Sequence, residues 1–141
     1  MNFSTVYLLI LSLLLLSCSS KPETSSTPLN GKWQLTQALI SSGGTAEWTR
    51  VENGTIYQFN EEGNFSSDQF PDCSEGEYTL KSGELKLSYT CEGFETSIEN
   101  EDGWITYKIR YEGDYLQLTP SSIICTEACT YRFTKLRSDK N

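Results

Sequence analysis

The chain has no histidine among its 141 residues. That removes the commonest general acid–base at neutral pH and the commonest metal ligand. Positive charge is also scarce, with 11 Lys and Arg against 19 Asp and Glu and a formal net charge of −8. A chain this acidic, with no basic stripe, argues against nucleic acid as a partner. It argues against electrostatic docking onto anionic lipid for the same reason. No window carries a 3.6-residue apolar stripe of helical length. Apolar runs are missing too, except from Val6 to Leu16. That uncharged run of about ten residues is too short to cross a bilayer as a stable helix. It has the length of a signal-peptide core.

The run ends in Leu15-Leu16-Ser17-Cys18. This order resembles a bacterial lipobox, in which a small residue precedes the cysteine that is acylated and becomes the mature N-terminus. The resemblance implies a lipoprotein signal peptide over residues 1–17 and lipidation at Cys18. One feature departs from it, since no Lys or Arg precedes the apolar run. The other reading is an ordinary secretory signal with Cys18 incidental. Both readings export the chain. Residues 18–29, rich in Ser, Thr and Pro, read as a flexible tether. Residues 30–141 are then one small domain in a bacterial cell envelope. The expected location is the outer membrane, with the membrane contacted through the lipid.

Export decides how the other cysteines read. Cys73, Cys91, Cys125 and Cys129 are an even set in an oxidising compartment, which favours disulfides. Three pairings are possible. The segment from Glu77 to Tyr89 reads as a hairpin turning at Lys81-Ser82-Gly83. Cys73 and Cys91 lie equally far from Ser82, so antiparallel pairing brings them opposite each other. Cys125 and Cys129 are left to close a tight loop. A four-thiolate zinc site would want C-x2-C spacing, and a redox centre a C-x-x-C pair. The sequence has neither.

The domain alternates with period two. Trp33, Leu35 and Leu39 share parity, as do Ile105, Tyr107, Ile109 and Tyr111, and later Tyr131 and Phe133. Glycine-bearing turns recur about every ten residues, the spacing of an antiparallel sandwich or barrel. Eight strands are expected near 32–39, 47–59 (broken at Asn53-Gly54), 64–68, 76–81, 84–90, 104–112, 115–119 and 129–137. Residues 94–102 read either as the start of the sixth strand or as a long polar loop. Eight meandering strands remove their edges by closing into an all-β, antiparallel, up-and-down barrel.

Four motifs follow in order: Gly31-Lys32-Trp33 on the first strand, the hairpin Tyr57-Gln58-Phe59 to Gly63-Asn64-Phe65, a cysteine before a Gly-x-Tyr strand from Cys73 to Tyr78, and the closing strand from Cys125 to Lys135. With the lipobox and the tether, this layout resembles the small lipocalin-like lipoproteins common in Bacteroidota. The domain is shorter than a typical ligand-carrying lipocalin, and Gly113-Asp114-Tyr115 does not match that family's T-D-Y motif. The resemblance implies a barrel floor made by Trp33, with Lys135 or Arg137 packed on its indole as a cation–π pair.

Residues that could carry chemistry are few. The carboxylates Glu61, Glu62, Glu95, Glu99, Glu101 and Asp102 fall in apparent turns, where a glycosidase would need two facing each other across a cleft. Glu99-Asn100-Glu101-Asp102-Gly103 has oxygens and a glycine turn but not the spacing of a calcium loop. No catalytic residue, metal or cofactor is assigned, and the chain is read as a non-enzyme. Aromatic residues are plentiful, with 3 Trp, 8 Tyr and 6 Phe. They can fill a small barrel or line a pocket for an apolar or amphipathic molecule. Trp33, Trp48, Phe59, Tyr78, Tyr107 and Phe133 are the candidate ligand contacts, Trp48 being placed at a barrel mouth. The interior is expected to hold Leu35, Leu85, Leu87, Ile109 and Leu118 as well. The alternative function is a structural or protein-interaction module with a filled core and an unidentified protein partner.

Overall fold

The computed structural model describes residues 28–41, 44–121 and 129–137. The expected signal peptide, Cys18, the expected tether up to residue 27 and Cys125 lie outside the described residues. There are nine strands: β1 (Gly31–Ile40), β2 (Glu47–Arg50), β3 (Ile56–Phe59), β4 (Asn64–Phe70), β5 (Cys73–Lys81), β6 (Glu84–Tyr89), β7 (Ile105–Glu112), β8 (Tyr115–Pro120) and β9 (Cys129–Lys135). From β3 to β9 each strand pairs antiparallel with the next, and β1 pairs with both β3 and β9. The sheet is therefore closed, and its edge groups are satisfied.

The nine strands make eight staves. Gly31–Gln34 of β1 pairs with β3, and Gln37–Ile40 pairs with β2 along the same edge. Strands β2 and β3 are thus two halves of one stave, broken where the sequence places Asn53-Gly54. Asn53 adopts a left-handed φ of 51°, a region that Asn tolerates better than most residues. Gly54 presses on β1 so closely that a Cβ there would lie 2.2 Å from the Leu35 carbonyl oxygen. The Lys81–Glu84 hairpin turns on Ser82 and Gly83, both at positive φ. Two such residues match the right-handed twist of the flanking strands.

One expectation about facing is overturned. Parity from Trp33 and Leu35 would put Leu39 inside. Pairing between β1 and β9 shifts register between Leu35 and Gln37. The extra residue inverts the alternation. Ala38 is buried instead, Leu39 is only partly buried, and Ile40 is 60% exposed.

Inside, a continuous cluster joins Trp33, Tyr57, Phe59, Phe65, Leu85 and Leu116 with neighbours from every stave of the wall. The rings pack edge-on or tilted, as their quadrupoles favour: Phe59 meets Tyr78 at 5.1 Å, and Phe65 meets Tyr89 at 5.0 Å. The core reaches back to Leu29, at the end of the segment that the sequence reads as tether. Leu29 is fully buried, and its carbonyl accepts a 2.8 Å hydrogen bond from Trp33 Nε1. Its side chain plugs the end of the barrel where the chain enters. Lys135 Nζ stands 5.3 Å from the Trp33 ring centroid. Gly31, at φ 117°, leaves that lysine its path, since a Cβ there would come 2.8 Å from Lys135 Cε. The glycine and the tryptophan of Gly-x-Trp thus both serve the floor of the barrel.

The opposite end carries the long connection of residues 90–104 and the short β4–β5 link at residues 71–72. Residues 90–104 form a loop and not the start of a strand. Its entry is pinned by the Cys73–Cys91 disulfide, with Cα atoms 5.8 Å apart. Phe94 packs on Phe70 and Tyr89 at 5.2 and 5.3 Å. The Asn100 side chain accepts from the amides of Asp102 and Trp104. Cys129 is disulfide-bonded too. Among the described residues no helix is long and apolar enough to cross a membrane.

Candidate functional site

The barrel is not filled along its whole length. Toward the end with the longer loops lies a cavity of about 260 Å³. Leu35, Ile98, Leu118, Pro120 and Phe133 supply its apolar wall. Tyr57, Gln69, Tyr107, Tyr131 and Thr55 supply its polar groups. No side chain in the lining is charged.

Period two explains how these residues meet. Tyr57 precedes Phe59 by two on β3, so the same face that feeds the aromatic core continues into the cavity. On β4, Phe65, Ser67 and Gln69 share a face in the same way. Across the barrel, Leu118 pairs with Tyr131, and Tyr131 pairs with Ala38. Cross-strand partners face the same side of a sheet, which places Tyr131 inward. Ile98 comes from the loop of residues 90–104 and packs against the core cluster, covering one side of the cavity.

The polar groups form a cluster. The Tyr57 hydroxyl donates to Gln69 Oε1, and the Tyr89 hydroxyl donates to the same oxygen at 3.5 Å. Burial pushes the Tyr57 phenol well above its ordinary value, and the neighbouring Tyr107 and Tyr89 push the same way. Burial also raises Tyr107, to about 12, against opposing hydrogen bonds from Tyr57 and Gln69. Tyr89 is raised by burial as well. These phenols stay neutral at physiological pH and act as hydrogen-bond donors and acceptors, not as bases.

The raised values have a consequence for stability. An unfolded tyrosine loses its proton near pH ~10. Above that pH the unfolded chain holds fewer protons than the folded one, so stability falls as pH rises. The contribution of Tyr107 is fully present below pH ~10 and is lost as pH rises to about 12. The expected loss is about 2–3 kcal/mol. Denaturant unfolding across this window is expected to show the slope, and Tyr107→Phe is expected to flatten it.

Of the residues that the sequence puts forward as ligand contacts, Tyr107 and Phe133 line this cavity. Phe59 and Tyr78 belong to the packed aromatic core, where the Tyr78 hydroxyl donates to the Asn60 carbonyl at 2.6 Å. Trp33 lines a larger, more open pocket at the opposite end, beside Tyr111, Lys135 and Arg137. Trp48 sits on β2, the half-stave that pairs with β1 alone. The Arg132 guanidinium lies 3.8 Å from its ring centroid, and Arg132 also pairs with Glu112 at 2.8 Å. That stack covers the indole without a ligand. Tyr57, Gln69, Tyr131 and Ile98 join the cavity lining. The parity of Tyr57 with Phe59 and of Gln69 with Phe65 is the sequence signal that points to two of them. Nothing local marks Ile98, which reaches the cavity through the fold of a long loop. Among the described residues no group of three or more Cys, Asp or Glu could hold a metal ion.

No family model matches the sequence, and no curated protein matches it. Solved structures that resemble the chain include two from Bacteroides. A lipocalin-like protein from Bacteroides uniformis ATCC 8492 is 25% identical, with a TM-score of 0.50, covering 77% of this chain and 98% of that one. The domain is lipocalin-like. An uncharacterized protein from Bacteroides eggerthii DSM 20697 shares the fold at 17% identity and a TM-score of 0.50, over 77% of this chain and 99% of that one. In both comparisons nearly the whole of the other chain is covered. The lipocalin-like barrel here combines an aromatic floor around Trp33 with a partly open interior at the far end.

Proposed function

We propose that this protein is a non-catalytic lipoprotein of a bacterial envelope, anchored through Cys18, whose barrel holds a small amphipathic molecule in the open-end cavity. The carrying observation is the cavity itself. An otherwise packed barrel leaves about 260 Å³ unfilled where tyrosine hydroxyls and a glutamine converge on an apolar wall. Binding pockets combine apolar walls with a few placed polar groups in this way. The volume falls just below the roughly 300–1,000 Å³ range of drug-sized pockets, so the occupant is small. The anchor reading agrees with the route of the chain, which enters at the floor and leaves the cavity on the side away from the tether. Large exposed hydrophobics are sparse among the described residues, with Ile40 and Tyr111 standing out. That weighs against an apolar docking face and against the interaction-module reading.

Native mass spectrometry of the full chain, with organic extraction of whatever co-purifies, tests this. Wild-type protein is expected to carry a small organic adduct, or to acquire one from envelope extract. Leu118→Trp is expected to lose it, because Leu118 is 1% exposed and lines the cavity. The larger side chain fills existing space, so its overpacking cost stays within about 1–3 kcal/mol. A wild-type chain that stays bare after incubation overturns the proposal.

A further inference from the structure

The cavity and the surface around its mouth have complementary chemistry, and together they narrow what can enter. We infer that the occupant is a small organic cation: an amine with an apolar or aromatic body, its body in the cavity and its ammonium at the mouth. This rests on the carrier reading and sharpens it.

The first observation is what the wall omits. The lining has no Lys or Arg, and the chain has no histidine. A carboxylate or phosphate entering the cavity would lose its hydration and meet no counter-charge, which is strongly unfavourable. Anionic ligands are therefore selected against.

The second is what the wall offers. Tyr57, Tyr107, Tyr131 and Phe133 surround the space with aromatic rings. These rings suit an apolar or aromatic body, and the negative potential of their faces favours an ammonium held beside it at the mouth.

The third is charge around the mouth. The described residues that join strands at this end, 41, 44–46, 71–72, 90–104 and 121, include no Lys or Arg. Residues 90–104 alone carry Glu92, Glu95, Glu99, Glu101 and Asp102. Glu99 directly follows Ile98, whose side chain lines the cavity. Summed over such a rim, the negative potential raises the local concentration of cations and lowers that of anions. The tether end differs, since Lys32, Lys81, Lys135 and Arg137 stand there among the acids. The acidic field thus belongs to the mouth and not to the whole surface.

Three probes of nearly equal size separate the possibilities: 2-phenylethylamine, 2-phenylethanol and phenylacetate, titrated by calorimetry into the full chain in lipid nanodiscs. At low ionic strength the amine is expected to bind roughly tenfold tighter than the alcohol, as a few carboxylates near the mouth would produce. Phenylacetate is expected not to bind. The amine's advantage is expected to shrink as salt screens the rim. Glu95→Gln, Glu99→Gln and Glu101→Gln combined are expected to reduce it severalfold and leave the alcohol unchanged. Leu118→Trp is expected to abolish both. Equal binding of amine and alcohol overturns the cation and leaves the cavity as a carrier site. Amine binding that survives Leu118→Trp also overturns it, because the amine then sits only on the acidic surface. Failure of all three probes, with a bare chain in the native spectrum, overturns the carrier reading as well.

Discussion

Replacing Phe59 with alanine is expected to cost about 3–5 kcal/mol. A domain of this size has only about 5–15 kcal/mol to lose. The ring is 1% exposed and belongs to the last residue of β3, packed into the barrel core. It stacks on Tyr57 at 5.7 Å, meets Phe65 at 6.1 Å and takes the edge of Tyr78 at 5.1 Å. Deleting it removes apolar burial and leaves a void between rings held by different strands of a closed sheet. Closure limits how far those strands can move in to fill the space, so the full cavity cost should remain. Urea unfolding followed by circular dichroism measures the loss. A cost below about 1 kcal/mol would mean that the wall collapses onto the void, contrary to the rigid packing of protein interiors. Because Phe59 packs under Tyr57, the void also opens toward the cavity, and binding of any occupant is expected to weaken with stability.

Replacing both Cys73 and Cys91 with alanine is expected to destabilise the domain by about 3 kcal/mol, through the loop-closure entropy returned to the unfolded chain. The bridge spans a sequence separation of 18. By the usual scaling this corresponds to a melting temperature lower by roughly 10–20 °C. The bridge also has a local task. It fixes the start of residues 90–104, from which Phe94 reaches Phe70 and Tyr89, and Ile98 reaches the cavity. Without it, those contacts alone hold the loop. Hydrogen exchange is expected to speed up in residues 92–104 before it does in β5 and β6. Uniform loss of protection across the barrel would instead show that the bridge acts only on global stability.

The closed sheet was legible in the chain because its information is local. Side chains on a strand alternate faces, and turns need particular backbone angles, so Trp33, Phe59, Leu85 and Tyr107 declare their side and Ser82-Gly83 declares its turn. The break at Asn53-Gly54 was legible for the same reason. Equal spacing from Ser82 made the Cys73–Cys91 pair legible as well. Gly-x-Trp pointed to the floor, and Lys135 proved to be the cation on the indole.

The tertiary structure decided what depends on residues distant in sequence. The register shift between Leu35 and Gln37 turned Ala38 inward, a choice made by pairing with β9 and invisible along β1 itself. Trp48 reads as an exposed aromatic until Arg132, 84 positions later, is laid on its ring. The cavity is the clearest case. Alternation says that Tyr57, Tyr107, Leu118 and Phe133 point inward, but not whether inward means packed or empty. That depends on how closely eight staves approach, how far the loop carrying Ile98 folds back, and where Tyr57 and Tyr89 converge on Gln69. Periodicity therefore determined the barrel and the side each residue faces. Volume and closure, which are sums over the whole wall, decided that one end is filled and the other is left open.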